Sequence, residues 1–188
     1  MSSAPTGGIY TPLVTFFNDD ETLDLKSISA HALRIAQGGV SGLVIQGSNG
    51  EAVHLDNDER QTVIRTVRAT LDSNGFDKLR LIIGCGAPSK LATVRLTREA
   101  KEAGGDFALV LPPSYWPGAM TKPNLLTFFR AVADESPLPV LIYNFPMVAN
   151  GINIDSDTML ELAAHPNIVG CKLTCGVRAD RVDWVAVS

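Results

Sequence analysis

The chain has 188 residues, 45% of them apolar and 19% charged, and a net charge of −4. That length and balance describe one globular domain with a substantial core and exclude a low-complexity or disordered chain. A small negative charge with no basic cluster argues against nucleic acid as a partner. No apolar run approaches the roughly 18 residues that would cross a membrane.

The first residues, Met1-Ser2-Ser3-Ala4-Pro5-Thr6, lack the charged and apolar regions of a secretory signal. Three cysteines (Cys85, Cys171 and Cys175) make no disulfide framework, so a reducing, cytoplasmic compartment is expected.

Short apolar runs then alternate with amphipathic stretches. The runs cover 10–16, 42–46, 79–83, 107–111, 140–144 and 168–172. Several are rich in Val and Ile and sit near Gly or Pro, as buried parallel strands are. After the first run, Leu25, Ile28, Ala32 and Ile35 share a helix face that stops at Gly38-Gly39. Asp56 and Glu59 have the spacing of a capping box, opening a helix with Val63, Val67 and Leu71 inward. Ala92, Leu96, Ala100 and Ala103 predict a third helix ending at Gly104-Gly105, and Leu125, Phe129 and Val132 a fourth.

Strand centres recur roughly every 27 to 38 residues, the length of one βα unit. An α/β fold follows, either an open doubly wound sheet or a (β/α)8 barrel. No Gly-x-Gly-x-x-Gly follows the first strand, which disfavours a nucleotide-binding sheet and leaves the barrel as the better reading. A full barrel takes about 250 residues and eight strands, so about the first six βα units are expected here. The expected boundaries are a barrel domain over 8–176, an extension over 1–7 and an atypical tail over 177–188.

In parallel α/β folds, functional groups gather at the C-terminal strand ends. The second run ends in Gly47-Ser48-Asn49-Gly50-Glu51, whose backbone N–H groups, hydroxyl and amide suit a small carboxylate. Such loops are more often plain turns. The Glu51 carboxylate is read either as a general base or as a tie to the N–H groups of its own loop. The fourth run leads into Pro112-Pro113-Ser114-Tyr115-Trp116-Pro117, an aromatic loop for which simple packing competes equally.

The fifth run ends in Tyr143-Asn144-Phe145-Pro146 and the sixth in Lys172. A lysine closing an apolar strand either snorkels to solvent or serves as an amine nucleophile that forms an imine with a carbonyl. A phenol on the adjacent strand could move protons for it. His31, His54 and His165 show no metal-ligand spacing, and Cys171 and Cys175 read as small packing residues.

Taken together, Gly47-Ser48-Asn49-Gly50-Glu51, Tyr143-Asn144-x-Pro146 and Gly170-x-Lys172-x-x-x-Gly176 resemble the dihydrodipicolinate synthase / N-acetylneuraminate lyase family. The match in order and spacing runs from Gly8 to about Gly176. The resemblance implies a (β/α)8 barrel and class I aldolase chemistry on pyruvate or a pyruvate-yielding 2-oxo acid, with no metal or organic cofactor. It implies that Lys172 is the Schiff-base lysine and Tyr143 the proton-moving tyrosine. Ser48 and Asn49, with Gly50 beside them, match the carboxylate-binding pair. Tyr115 matches a second relay tyrosine that in this family comes from a neighbouring subunit, so a homo-oligomer, dimer or tetramer, is expected.

Many members carry Thr-Thr where this chain has Ser48-Asn49, and the resemblance is nearer the 4-hydroxy-2-oxoglutarate and 2-keto-3-deoxy sugar acid aldolases. Synthase members place an arginine after Tyr-Asn-x-Pro. Here Met147-Val148-Ala149-Asn150 follows, which removes a bidentate carboxylate clamp and disfavours dihydrodipicolinate synthesis.

The expected function is therefore a class I lyase releasing pyruvate and an aldehyde (glyoxylate when the acid is 4-hydroxy-2-oxoglutarate). The rival readings are a synthase-type condensation and an inactive 2-oxo acid binder or regulatory subunit. The last arises because residues 177–188 resemble no continuation of the family, which suggests a truncated product. A compact, cooperatively melting 188-residue chain would count against truncation.

Overall fold

The computed structural model describes residues 4–174, so Cys175, Gly176 and the expected tail at 177–188 lie outside the described residues. The described chain forms two compact units, 6–84 with 99–107, and 4–5 with 85–98 and 108–174.

The N-terminal unit holds β1 (Tyr10–Pro12), α1 (Leu25–Gln37), β2 (Gly42–Ile45), α2 (Asn57–Ser73) and β3 (Arg80–Gly84). Its strands are parallel, with Tyr10 opposite Gly42 and Gly42 opposite Arg80. Leu43, Val44, Ile45, Leu81, Ile82 and Ile83 are all buried, as strands covered on both faces require. Gly42 carries no side chain because a Cβ there would lie 2.5 Å from the Tyr10 ring and 2.6 Å from Arg80 O.

The first strand is shorter than the expected 10–16. Pro12 has no N–H to give a ladder, and the segment beyond instead forms an antiparallel bridge between Phe17 and Leu23. The buried face of α1 is Ile28, Ala32 and Ala36; Leu25, counted inward from its spacing, is 39% exposed. The capping box at Asp56 and Glu59 is present in both directions, and Val63, Val67 and Leu71 are buried as expected.

The C-terminal unit contains most of β4 (Phe107–Val110), then α4 (Lys122–Glu135), β5 (Val140–Asn144), α5 (Ser156–Ala163) and β6 (Ile168–Leu173), again with parallel strands. α4 buries Leu125, Phe129 and Val132, as their spacing predicts, and also Leu126 and Ala133. α5 opens on Asp155, whose carboxylate accepts from the Thr158 N–H. That bond, with the Thr158 hydroxyl second, holds the Asp155 carboxyl below its usual pKa.

In chain order, α3 (Lys90–Glu102) follows β3. Its inward stripe includes Thr93 and Thr97 as well as the expected Leu96 and Ala100. Both hydroxyls are accommodated by donating to carbonyls of their own helix, Thr93 to Ser89 O (2.9 Å) and Thr97 to Val94 O (2.8 Å). Among the described residues, no helix is long and apolar enough to cross a membrane.

Candidate active site

β5 and β6 place Tyr143 and Lys172 side by side. Tyr143 is directly opposite Lys172 in their parallel register, so the two side chains leave the sheet on the same face. The Lys172 Nζ lies 4.5 Å from the centroid of the Tyr143 ring. Both residues are buried, Tyr143 4% and Lys172 8% exposed.

Among the described residues, no carboxylate pairs with Lys172. The tyrosine π face therefore supplies the negative potential, an interaction worth about 2 kcal/mol when desolvated. A snorkelling lysine would reach solvent; this one lies along a ring. Phe145 packs against the same tyrosine at 5.7 Å between centroids, the two rings tilted by 33°.

Asn144 holds the next turn of chain in place. Its Oδ1 accepts from Ile154 N (3.0 Å), its Nδ2 donates to Asn153 Oδ1 (2.8 Å), and its backbone O accepts from Thr174 N (2.9 Å). One buried side chain thus ties the loop after β5 to the end of that strand, while its carbonyl catches the chain leaving β6. The motif reading singled out Asn144 only by its company; the amide is what pins residues 153–154.

Tyr115 is 73% exposed and meets Trp116 edge to face at 5.2 Å. Its loop is braced by Asn150 Nδ2 donating to Ser114 O (2.8 Å). Met147 and Val148, which open the arginine-free stretch 147–150, are both exposed in the one-turn helix Pro146–Val148.

In the N-terminal unit the loop after β2 forms the one-turn helix Ser48–Gly50. Ser48 is half-buried, Asn49 exposed and Gly50 buried. The Gly50 carbonyl accepts from the Thr15 hydroxyl at 2.7 Å. Glu51 has a left-handed backbone (φ 55°), and its carboxylate lies 3.3 Å from His54 Nδ1. It therefore takes a side-chain partner and does not tie down the N–H groups of its own loop.

Residues missed from the sequence cluster behind this loop. Arg60 is 7% exposed and donates from Nη1 to Ala52 O (2.9 Å) and from Nη2 to Gly84 O. Gln46 donates to Arg60 O (2.7 Å). The available signal was Arg60 itself, a cation in line with Val63, Ile64, Val67 and Leu71 on the apolar stripe of α2.

The profile of the dihydrodipicolinate synthetase family matches residues 5–185. The chain belongs to that family. A protein of Emericella nidulans named "Probable 4-hydroxy-2-oxoglutarate aldolase, mitochondrial" is 51% identical over 169 residues, 90% of this chain and 55% of its own length. An L-threo-3-deoxy-hexylosonate aldolase of Hypocrea jecorina is 45% identical over 170 residues, 90% of this chain and 54% of its own.

Among solved structures, a dihydrodipicolinate synthase family protein from Coccidioides immitis superposes with a TM-score of 0.84 at 41% identity, covering 93% of this chain and 54% of that one. YagE of E. coli K12, described as a family member in complex with pyruvate, gives 0.80 at 33%, covering 88% and 53%. The fold is α/β, and its six parallel strands are the first six of the (β/α)8 barrel. The chain spans about half the length of the relatives it matches.

Proposed function

We propose that this chain carries the imine-forming machinery of a class I aldolase that cleaves a 4-hydroxy-2-oxo acid or a 2-keto-3-deoxy sugar acid to pyruvate and an aldehyde. The observation that carries this reading is the buried pair of Lys172 and Tyr143 on neighbouring strand ends, with Nζ over the ring at 4.5 Å. A primary amine excluded from bulk water beside a phenol is the pairing that imine chemistry needs.

In this reading the neutral Lys172 amine attacks C2 of the 2-oxo acid, and loss of water leaves a protonated imine. Tyr143 gives its proton to the hydroxyl that leaves C2 as water; electrons of the C3–C4 bond then flow into the iminium as the resulting phenolate accepts the proton of the C4 hydroxyl. The aldehyde departs and an enamine remains. Protonation at C3 and addition of water then release pyruvate and the free amine. Nζ is positively charged in the iminium as it is in the ammonium, so the Tyr143 ring face stabilises both.

By the motif match Ser48, Asn49 and Gly50 hold the carboxylate, and Tyr115 serves a neighbouring copy of a homo-oligomer. The exposure of Tyr115 in a single chain supports that role. The branch is supported by the names of the two curated relatives and by the absence of an arginine from Met147-Val148-Ala149-Asn150. A pyruvate complex of a solved relative supports a 2-oxo acid as the small-molecule partner. The cytoplasmic expectation competes with a mitochondrial one, because the Emericella relative is named as mitochondrial; fractionation of expressing cells separates them.

Incubation with pyruvate and borohydride, followed by intact mass and peptide mapping, tests the reading. One pyruvyl adduct on Lys172 is expected, and an adduct elsewhere or none at all overturns it. The synthase alternative predicts condensation with an aldehyde in place of cleavage. A further alternative is a non-catalytic binder or regulatory subunit. It predicts no turnover alone and co-purification with a full-length copy.

A further inference from the structure

The loop at 47–51 is held by residues to which neither the family match nor the reading above gives a role. β2 does not end in a relaxed turn. Gln46 leaves the strand with a left-handed backbone (φ 57°), a conformation that non-glycine residues disfavour. Its carbonyl then comes so near β3 that a Cβ on Gly84 would lie 1.8 Å from Gln46 O. Something must hold the chain in this path.

The residue positioned to do so is Arg60. Its Nη1 donates to Ala52 O, just beyond the loop, and its Nη2 donates to Gly84 O, beneath the point where the loop departs. Its own backbone O accepts the Gln46 side chain, just before the loop. Both flanks of the segment carrying Ser48 and Asn49 thus converge on one helical residue. A planar guanidinium has donors spaced to bridge two carbonyls at once, whereas an ammonium is a single point. Gln46 Oε1 is buried with no partner among the described residues, so the Gln46 amide is fixed from the Arg60 side.

We propose that Arg60 is a positioning residue for recognition of the substrate carboxylate: its guanidinium sets the geometry of the 47–51 loop without touching the substrate. This rests on the aldolase reading. The inference predicts a defect specific to the charged end of the substrate, which a general loss of structure would not produce.

The test is trapping by cyanoborohydride on Lys172, titrated with pyruvate and separately with ethyl pyruvate, the same ketone with its carboxylate masked. Wild type, Arg60→Lys and Arg60→Met are compared, with a thermal melt of each. In the Arg60 variants the half-saturating pyruvate concentration rises roughly tenfold or more, as loss of charge-assisted hydrogen bonds implies. The adduct at saturation and the ethyl pyruvate curve stay at wild-type levels.

An unchanged pyruvate curve overturns the proposal. So does a parallel loss with both ketones, or loss of cooperative melting in Arg60→Lys, because the role is then only structural. A wild-type chain that gives no Lys172 adduct with pyruvate sinks the aldolase reading itself, which is a separate result.

Discussion

At the ends of β5 and β6, Tyr143 and Lys172 sit in regular extended backbone, and the pairing of one residue with its register partner brings them together. At the end of β2, Ser48 and Asn49 depend on a left-handed Gln46, a glycine on the next strand and a guanidinium from α2. The first region needs only correct strand pairing. The second needs three elements to agree, and each tie can be cut singly. Side chains held by a ladder should fail only when they are themselves replaced, whereas a built loop should fail when its remote supports are changed.

The most severe break of that contrast is at the ladder. Lys172→Ala should abolish the borohydride-trapped pyruvyl adduct altogether, read by intact mass, while the melt stays cooperative. Next is the phenol. Tyr143→Phe should lower kcat roughly 10²- to 10⁴-fold, the usual range for losing a proton-transfer group, yet still form the adduct, because the ring beneath Nζ remains. Tyr143→Leu removes the ring as well and should weaken adduct formation by a further ~2 kcal/mol at most. Equal adduct yields in the two variants would discard the cation–π contribution.

The loop side is sharpened by Gly84→Ala. The added methyl meets the Gln46 carbonyl, and a loss of about 3 kcal/mol is expected from overpacking against backbone that cannot yield. Denaturant melts check this; a neutral outcome would mean that the loop is looser than its bonds imply. The smallest effect is remote from both regions. Asp155→Ala removes the cap of α5 and should cost about 1 kcal/mol at neutral pH.

The sign of its pH dependence follows from the lowered pKa of Asp155 in the folded chain. Its stabilisation is present above the ordinary carboxylate value, about 3.9, and is lost as pH falls from there through the lowered folded value. Wild type and Asp155→Ala should therefore converge in stability under acid, read by melts across that window.

Periodicity in the chain was enough to place the six strands, because parallel strands covered on both faces must be uninterrupted apolar runs. It also placed the capping box at Asp56, and set Tyr143 and Lys172 one residue before the ends of β5 and β6. These are local signals, written within a few residues of the place they act. Helix faces were less legible. Leu25 turned outward while Ala36 turned inward, and α3 buried two threonines whose hydroxyls found carbonyls in their own helix.

The loop supports could not be read from the chain. Arg60 reaches a carbonyl 24 residues away, and Thr15 reaches Gly50 across 35. A buried arginine looks like any helix arginine until the acceptors arranged around it are known. Sequence patterning therefore placed Tyr143 and Lys172 near the C-terminal ends of neighbouring strands, since alternation and hydrophobicity act locally. Tertiary structure decided that Nζ faces a ring and not a carboxylate, and that one guanidinium secures the β2 loop. Those outcomes depend on desolvation and on hydrogen-bond acceptors that only the folded chain brings within reach.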